Sequence, residues 1–136
     1  MRPVNFQLEG TIYLRQDDRD FDVHNDFDFI GFSYSVAERV LELPWIRSSG
    51  EWVHQGMPED LLLSCRGVTH ISATARDPEM PFTEDDCFAL PERPVEDAFT
   101  TSPSTQSFDP AWHWLFTFMS GFTVRVAGES AQLSTQ

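Results

Sequence analysis

Residues 112–126 read WHWLFTFMSGFTVRV, and they carry the plainest structural signal in the chain. Apolar side chains recur at every second position on both sides of a Ser-Gly pair: Trp112, Trp114, Phe116 and Phe118 before it, and Phe122, Val124 and Val126 after it. Residues two apart on a β-strand point to the same face. Ser120 and Gly121 are typical turn residues. The stretch predicts a β-hairpin with an aromatic face buried in the centre of the core.

The same alternation of apolar and polar residues extends through most of the chain. It occurs over residues 6–14, over residues 20–29 with a turn at His24-Asn25-Asp26, and over residues 61–65 and 68–75, which we expect to pair around Arg66-Gly67. Residues 35–43 have two interpretations. Ser35 and Glu38 have capping-box spacing, typical of a short helix, whereas the alternation from Leu41 onward favours a hairpin turning near Ala37-Glu38.

Residues 77–110 break the pattern, because they contain six of the nine prolines. We expect a long proline-rich loop there, irregular or flexible. Seven or eight short strands in 136 residues then predict a mainly β fold with little helix. The expected architecture is one domain over residues 1–136, an antiparallel β-sandwich or an open barrel.

Composition excludes several classes of function. No lysine is present, so Schiff-base chemistry and a P-loop lysine are ruled out. The formal net charge of −13 disfavours direct binding to nucleic acid or to an anionic membrane. Residues 1–7 lack the apolar stretch of a secretory signal, and no apolar run is long enough to span a bilayer. We therefore expect a cytoplasmic protein with Cys65 and Cys87 reduced.

The negative charge is concentrated in two segments. Residues 17–28 contain Asp17, Asp18, Asp20, Asp22, Asp26 and Asp28, and residues 77–97 contain Glu84, Asp85 and Asp86 among eight acids. With one arginine in each, the segments carry −5 and −7, which leaves −1 for the rest of the chain. A nearly neutral β body with two acidic segments is typical of a protein that binds a basic partner. We predict these nine residues as its binding residues.

Carboxylates at every second residue of 17–28 also suggest a site for Ca²⁺ or Mn²⁺. The EF-hand pattern is absent, however, and alternate residues of a strand lie nearly 7 Å apart, so they converge on one ion only if a turn folds the strand back. No metal ligand or cofactor is predicted. The four histidines have no zinc-site spacing, and alternation places His70 and His113 as partly exposed strand residues. Trp52 is the tryptophan most expected to be exposed.

Two hypotheses for function follow. The first is a non-catalytic protein that presents acidic segments to a basic protein, in an inhibitor or immunity-type role. In composition and size alone, the chain is similar to bacterial immunity proteins and DNA mimics, in which carboxylates take the place of phosphates. The second is a metal-dependent or small-ligand-binding enzyme that uses the Asp17–Asp28 carboxylates. No catalytic motif supports the second, so the first is preferred.

Overall fold

The computed structural model describes residues 1–9, 12–80 and 113–136, together with the backbone of strand 87–92. Within these residues the protein consists of strands and turns and contains no helix. The strands are β1 (Arg2–Pro3), β2 (Gln7–Glu9), β3 (Tyr13–Gln16), β4 (Arg19–Asp22), β5 (Phe27–Phe29), β6 (Ser33–Ser35), β7 (Val40–Arg47), β8 (Asp60–Arg66), β9 (His70–Ala73), β10 (Cys87–Glu92), β11 (His113–Phe118), β12 (Thr123–Ala127) and β13 (Ser130–Thr135).

The largest sheet, sheet 1, has the strand order β1-β13-β8-β7-β5, with β6 also paired to β7. All of its pairs are antiparallel except the two-residue pairing of β1 with β13. A four-residue turn, residues 36–39, joins β6 to β7, with Arg39 in the left-handed region at φ 55°. The hairpin interpretation of residues 35–43 is therefore confirmed over the helical one.

Strand β7 contains Pro44 at a point where the pairing along one of its edges passes from β5 to β6. Four steps along the chain separate Phe29 from Ser33, but only three separate their partners Trp45 and Glu42. The extra residue makes a bulge-like interruption between β5 and β6. Pro44, which has no N–H to donate, lies opposite this interruption and accepts a bond from the Ile30 N–H through its carbonyl.

Sheet 2 has the order β10-β11-β12-β9 and is antiparallel throughout. Strands β11 and β12 form the predicted hairpin, with Gly121 in its turn at φ 75°. The expected pairing of residues 61–65 with 68–75 was wrong. Strand β8 is already flanked by β7 and β13, so the chain turns at Gly67 (φ 64°) and β9 joins the other sheet, beside β12.

Part of the predicted proline-rich loop is a strand. Residues Cys87–Glu92 form β10 and pair with β11, and Pro91 occurs on this edge strand, where a missing N–H is tolerated. Residues 81–86 and 93–112 lie outside the described residues, so the rest of that prediction stays a prediction. Trp112, at the start of the predicted aromatic run, also lies outside them.

A third sheet, sheet 3, consists of β2, β3 and β4 in that order. All three sheets contribute to one hydrophobic core. Trp45 of sheet 1 contacts Phe116 of sheet 2 with ring centroids 6.2 Å apart, and Phe29 contacts Phe118 at 4.3 Å. The mainly β fold of packed, largely antiparallel sheets is confirmed, although the described residues form thirteen strands and not seven or eight. Cys65 is buried in this core, and burial raises the pKa of its thiol to about 12.

Candidate functional site

The predicted acidic segment, residues 17–28, covers β4, the turn after it and the start of β5. Its apolar residues Phe21, Val23 and Phe27 are buried, and so is Phe29 directly after it. Because neighbouring strand residues point to opposite faces, anchoring these four side chains turns the aspartates between them toward solvent. We call the six aspartates of this segment the acidic surface: Asp17, Asp18, Asp20, Asp22, Asp26 and Asp28.

Asp17 and Asp18 form the two-residue turn between β3 and β4, where Gln16 pairs with Arg19. Asp17 has φ 55°, a left-handed conformation that Asp and Asn tolerate better than most residues. Both side chains are exposed. They lie at the tip of the β3–β4 hairpin.

Asp20 is held in an ion pair with Arg15 across the β3–β4 hairpin. Arg15 Nε donates to Asp20 Oδ1 over 2.5 Å and Nη2 donates to Oδ2 over 2.8 Å. Arg15 Nη1 also pairs with Glu9 at 2.5 Å. The hydrogen bonds from Arg15 lower the pKa of Asp20 below its ordinary value. Asp20 therefore stays ionised, but the positive charge of Arg15 already offsets its negative charge.

Asp22 has a structural role in the turn between β4 and β5. The backbone N–H groups of His24 and Asn25 each donate to Asp22 Oδ1 over 3.0 Å. Asn25 Nδ2 donates to the other carboxylate oxygen over 2.9 Å. A carboxylate that accepts three hydrogen bonds fixes the turn and has little acceptor capacity left for a ligand.

Asp26 and Tyr13 lie close to Asp22 and respond to its charge. Partial burial, and then the neighbouring Asp22 carboxylate, raise the pKa of Asp26 above its ordinary value. Tyr13, the cross-strand partner of Asp22, has its pKa raised first by the charge of Asp22, with smaller contributions from Asp26 and Asp20. The β4–β5 turn therefore gathers several of the carboxylates around one exposed phenol.

Asp28 is half-buried on β5, opposite Ile46 of β7. It therefore lies on the outward face of sheet 1, whereas Asp20 and Asp22 belong to sheet 3. The acidic surface continues across the boundary between these two sheets.

An exposed tryptophan adjoins the acidic surface. Trp52 is 72% exposed, as the sequence predicted, and its indole Nε1 donates to the carbonyl of Asn25 over 3.0 Å. The ring lies so close to Gly50 that any side chain there would collide with it. An indole combines an apolar ring with a polar N–H, and in Trp52 the N–H is bonded while most of the ring stays open to contact from solvent.

Of the second acidic segment, the structure describes residues 77–80 and the backbone of β10. Asp77 and Glu79 lie in a turn that bonds to the β11–β12 hairpin through Asp77 N–H and the carbonyl of Ser120, at 2.8 Å. The predicted binding residues Glu84, Asp85 and Asp86 lie outside the described residues. The expectation that the two segments act together therefore stays a prediction.

Within residues 1–9, 12–80 and 113–136, no three His, Cys, Asp or Glu side chains are arranged to hold a metal ion. The acidic surface is thus a spread of carboxylates with different partners: Asp20 pairs with Arg15, and Asp22 fixes a turn. The acidic surface can therefore act on other molecules through its negative charge.

Sequence reasoning missed Arg15 and Tyr13. Arg15 lies outside the acidic run but pairs with Asp20, and Tyr13 lies opposite Asp22. The signal for both was the hairpin register: a two-residue turn at Asp17-Asp18 places residues 15 and 13 opposite residues 20 and 22.

Comparisons with protein-family models, with curated proteins and with solved structures find no match for this chain. Among the described residues there is no helix of the length and apolarity needed to cross a bilayer.

Proposed function

We propose that the protein is a non-catalytic binding protein whose acidic surface docks onto a basic protein. The observation that carries the proposal is the exposed Trp52, held by Asn25 at the edge of the acidic surface. Charge alone serves solubility, but charge beside a fixed exposed aromatic ring is typical of a contact surface.

The surface suits arginine and lysine side chains in particular. Asp17 and Asp18 are exposed carboxylates, which accept hydrogen bonds from a guanidinium group in bidentate fashion. The face of an indole such as Trp52 attracts a cation through its ring quadrupole. Because the field of the carboxylates also speeds encounter with a positive partner, we expect fast association that weakens with salt.

Five of the six aspartates divide into two groups in this proposal, and Asp28 belongs to neither. Asp20 and Asp22 maintain the fold of sheet 3 and its turn, through Arg15 and through the N–H groups of residues 24 and 25. Asp17 and Asp18 at the tip, with Asp26 beside Asp22, present charge to the partner. Neutralising this second group tests binding without removing the contacts that hold the hairpin.

The alternative, a metal-dependent or small-ligand-binding enzyme that uses the Asp17–Asp28 carboxylates, has less support. A catalytic ion needs several oxygens converging at short range, and Asp20 and Asp22 already direct their oxygens at other groups.

An inhibitor or immunity-type role in the cytoplasm fits the same chemistry. Carboxylates that take the place of phosphates would occupy the basic surface by which a partner binds nucleic acid, while the protein itself would bind neither nucleic acid nor a membrane.

The test is capture from a lysate by three immobilised proteins. The first is the wild type, and the second carries Asp17→Asn, Asp18→Asn and Asp26→Asn. The third carries Glu38→Gln, Glu59→Gln and Glu129→Gln, which remove the same charge from exposed positions outside the acidic surface. We expect the wild type and the third protein to retain the same basic protein, released by raised salt, and the second to lose it. Equal retention by all three would contradict the proposal.

A further inference from the structure

Two histidines meet on the outward face of sheet 2. His70 is on β9 and His113 is on β11, and their rings stack with centroids 4.7 Å apart and planes inclined by 24°. These strands are not neighbours, since β12 runs between them. The two imidazoles therefore reach toward each other across a strand.

The register explains how the rings meet. Ala127 of β12 pairs with His70, and His113 lies one residue beyond the pair Trp114–Val126, which places it opposite the same alanine. Val126 faces the core, so Ala127 points outward, yet it is only 8% exposed. A methyl side chain at this position leaves the space above β12 in which two imidazole rings fit. A larger residue there would separate them.

We propose that His70 and His113 form a binding site for a first-row transition-metal ion of the zinc class. Neutral imidazole is a preferred ligand of Zn²⁺, Ni²⁺ and Cu²⁺. Two nitrogens on one tetrahedral zinc ion are roughly 3.3 Å apart, because each Zn–N bond is about 2.0–2.1 Å long. The rings are 4.7 Å apart and their planes are inclined by 24°, so both side chains must rotate before a nitrogen of each points at one ion.

The charges around this pair set the affinity to be expected. Register places Glu92 of β10 opposite His113, so one row across the sheet runs Glu92, His113, Ala127, His70. Arg125 is on the same face of β12, two residues from Ala127. Two imidazoles with water completing the coordination make a weaker site than a three-ligand structural site. The arginine charge nearby lowers the affinity further.

The test is titration of the purified protein with ZnCl₂ by calorimetry at pH 7.5, with MgCl₂ as the comparison ion. We expect one zinc ion per chain and no magnesium binding, since hard cations prefer oxygen ligands. Affinity is expected to fall as the pH is lowered, because protons compete with the metal for the imidazole nitrogens. Zinc binding that is absent, or that does not change between pH 7.5 and 5.5, would overturn the proposal.

Variants separate metal binding from simple ring stacking. His70→Phe and His113→Phe keep an aromatic ring at each position but remove the ligand nitrogens, so we expect each to weaken zinc binding about tenfold or more while the melting temperature without zinc is retained. His54→Asn, in the exposed loop between β7 and β8, is the matched control and should bind zinc like the wild type. Unchanged zinc affinity in both Phe variants would overturn the proposal, as would loss of binding in the control.

This site and the acidic surface lie on different sheets and use different residues. Failure of the zinc titration would leave the capture experiment unaffected, and the reverse also holds.

Discussion

The β11–β12 hairpin and the acidic segment from Asp17 to Asp28 both bury apolar residues at alternate positions, and they differ in the residues that they present outward. In the hairpin, Trp114, Phe116 and Val124 fill the core, and the outward positions include Thr117 and Thr123. The acidic segment buries its aromatic residues in the same way, but its outward positions are aspartates. Alternation in both decides the fold, and the outward half of each pattern is free to carry a function.

The two regions also differ in where their stability comes from. The hairpin is central, with β10 and β9 on either side, so packing dominates. The acidic segment begins in the small sheet 3, whose outer strand β4 continues into a turn held by the Asp22 carboxylate. Substitutions in the hairpin core should therefore act through lost packing, and those in the acidic segment through hydrogen bonds and charge.

The largest effect is expected from Phe116→Ala in the hairpin. Phe116 is buried between the sheets and contacts Trp45, so its removal leaves a cavity. We expect the free energy of unfolding to fall by about 3–5 kcal/mol, measured by urea denaturation. Thr117→Ala, on the outward face of the same strand, should change it by less than about 0.5 kcal/mol. Similar losses in the two variants would show that the hairpin is not central to the core.

A smaller loss is expected from Asp22→Ala in the acidic segment. Removing the carboxylate leaves the N–H groups of His24 and Asn25 without their acceptor. We expect a loss of about 1–3 kcal/mol in the free energy of unfolding. Asp22→Asn keeps one acceptor oxygen and should recover part of the loss, while Asp18→Ala should be nearly neutral. If Asp18→Ala cost as much as Asp22→Ala, the division of the aspartates into structural and presenting groups would be wrong.

The smallest effect is expected from Asp26→Asn, and its sign is informative. The pKa of Asp26 is raised in the folded protein, so folding favours the protonated form. Its stabilising contribution is present below the unfolded pKa and is lost as pH rises through the folded pKa. Asp26→Asn should therefore unfold at a higher temperature than the wild type at pH 7, with a gain of no more than about 1 kcal/mol in the free energy of unfolding. At pH 3 the two proteins should unfold at the same temperature.

Asp20→Asn is the control with the opposite sign. Arg15 lowers the folded pKa of Asp20, so its contribution is present above the unfolded pKa and is lost as pH falls through the folded pKa. This variant should unfold at a lower temperature than the wild type at pH 7. Thermal unfolding at the two pH values checks both signs, and a shift of the same sign in both variants would contradict the assigned environments.

The sequence predicted what depends on local alternation. The β11–β12 hairpin, the turn after β4 and the β6–β7 hairpin are all present. Period-two patterns and turn residues predict them because both depend only on residues close together in the sequence. Local alternation does not predict which sheet a strand joins. Strand β9 pairs with β12 because both edges of β8 are already paired, one with β7 and the other with β13. Residues 61–75 alone give no sign that these two strands take the edges of β8.

The composition of residues 17–28 predicted the acidic surface, but not which of its aspartates stabilise the fold and which are exposed to solvent. The register that places Arg15 against Asp20 follows from the turn at Asp17-Asp18, so the pairing was accessible from the sequence. The meeting of His70 with His113 was not accessible, because it depends on the order β11-β12-β9 and on a small residue at position 127. Long-range sheet order is what the structure adds.

The most direct test of the acidic surface is calorimetric titration with a nona-arginine peptide, at low salt and at about 0.5 M salt. The variant carrying Asp17→Asn, Asp18→Asn and Asp26→Asn is compared with the variant carrying Glu38→Gln, Glu59→Gln and Glu129→Gln, which has the same net charge. We predict that the first binds the peptide several-fold more weakly than the second at low salt, and that the difference disappears at high salt. Equal affinities at low salt would mean that only net charge matters, and would contradict a binding role for this surface.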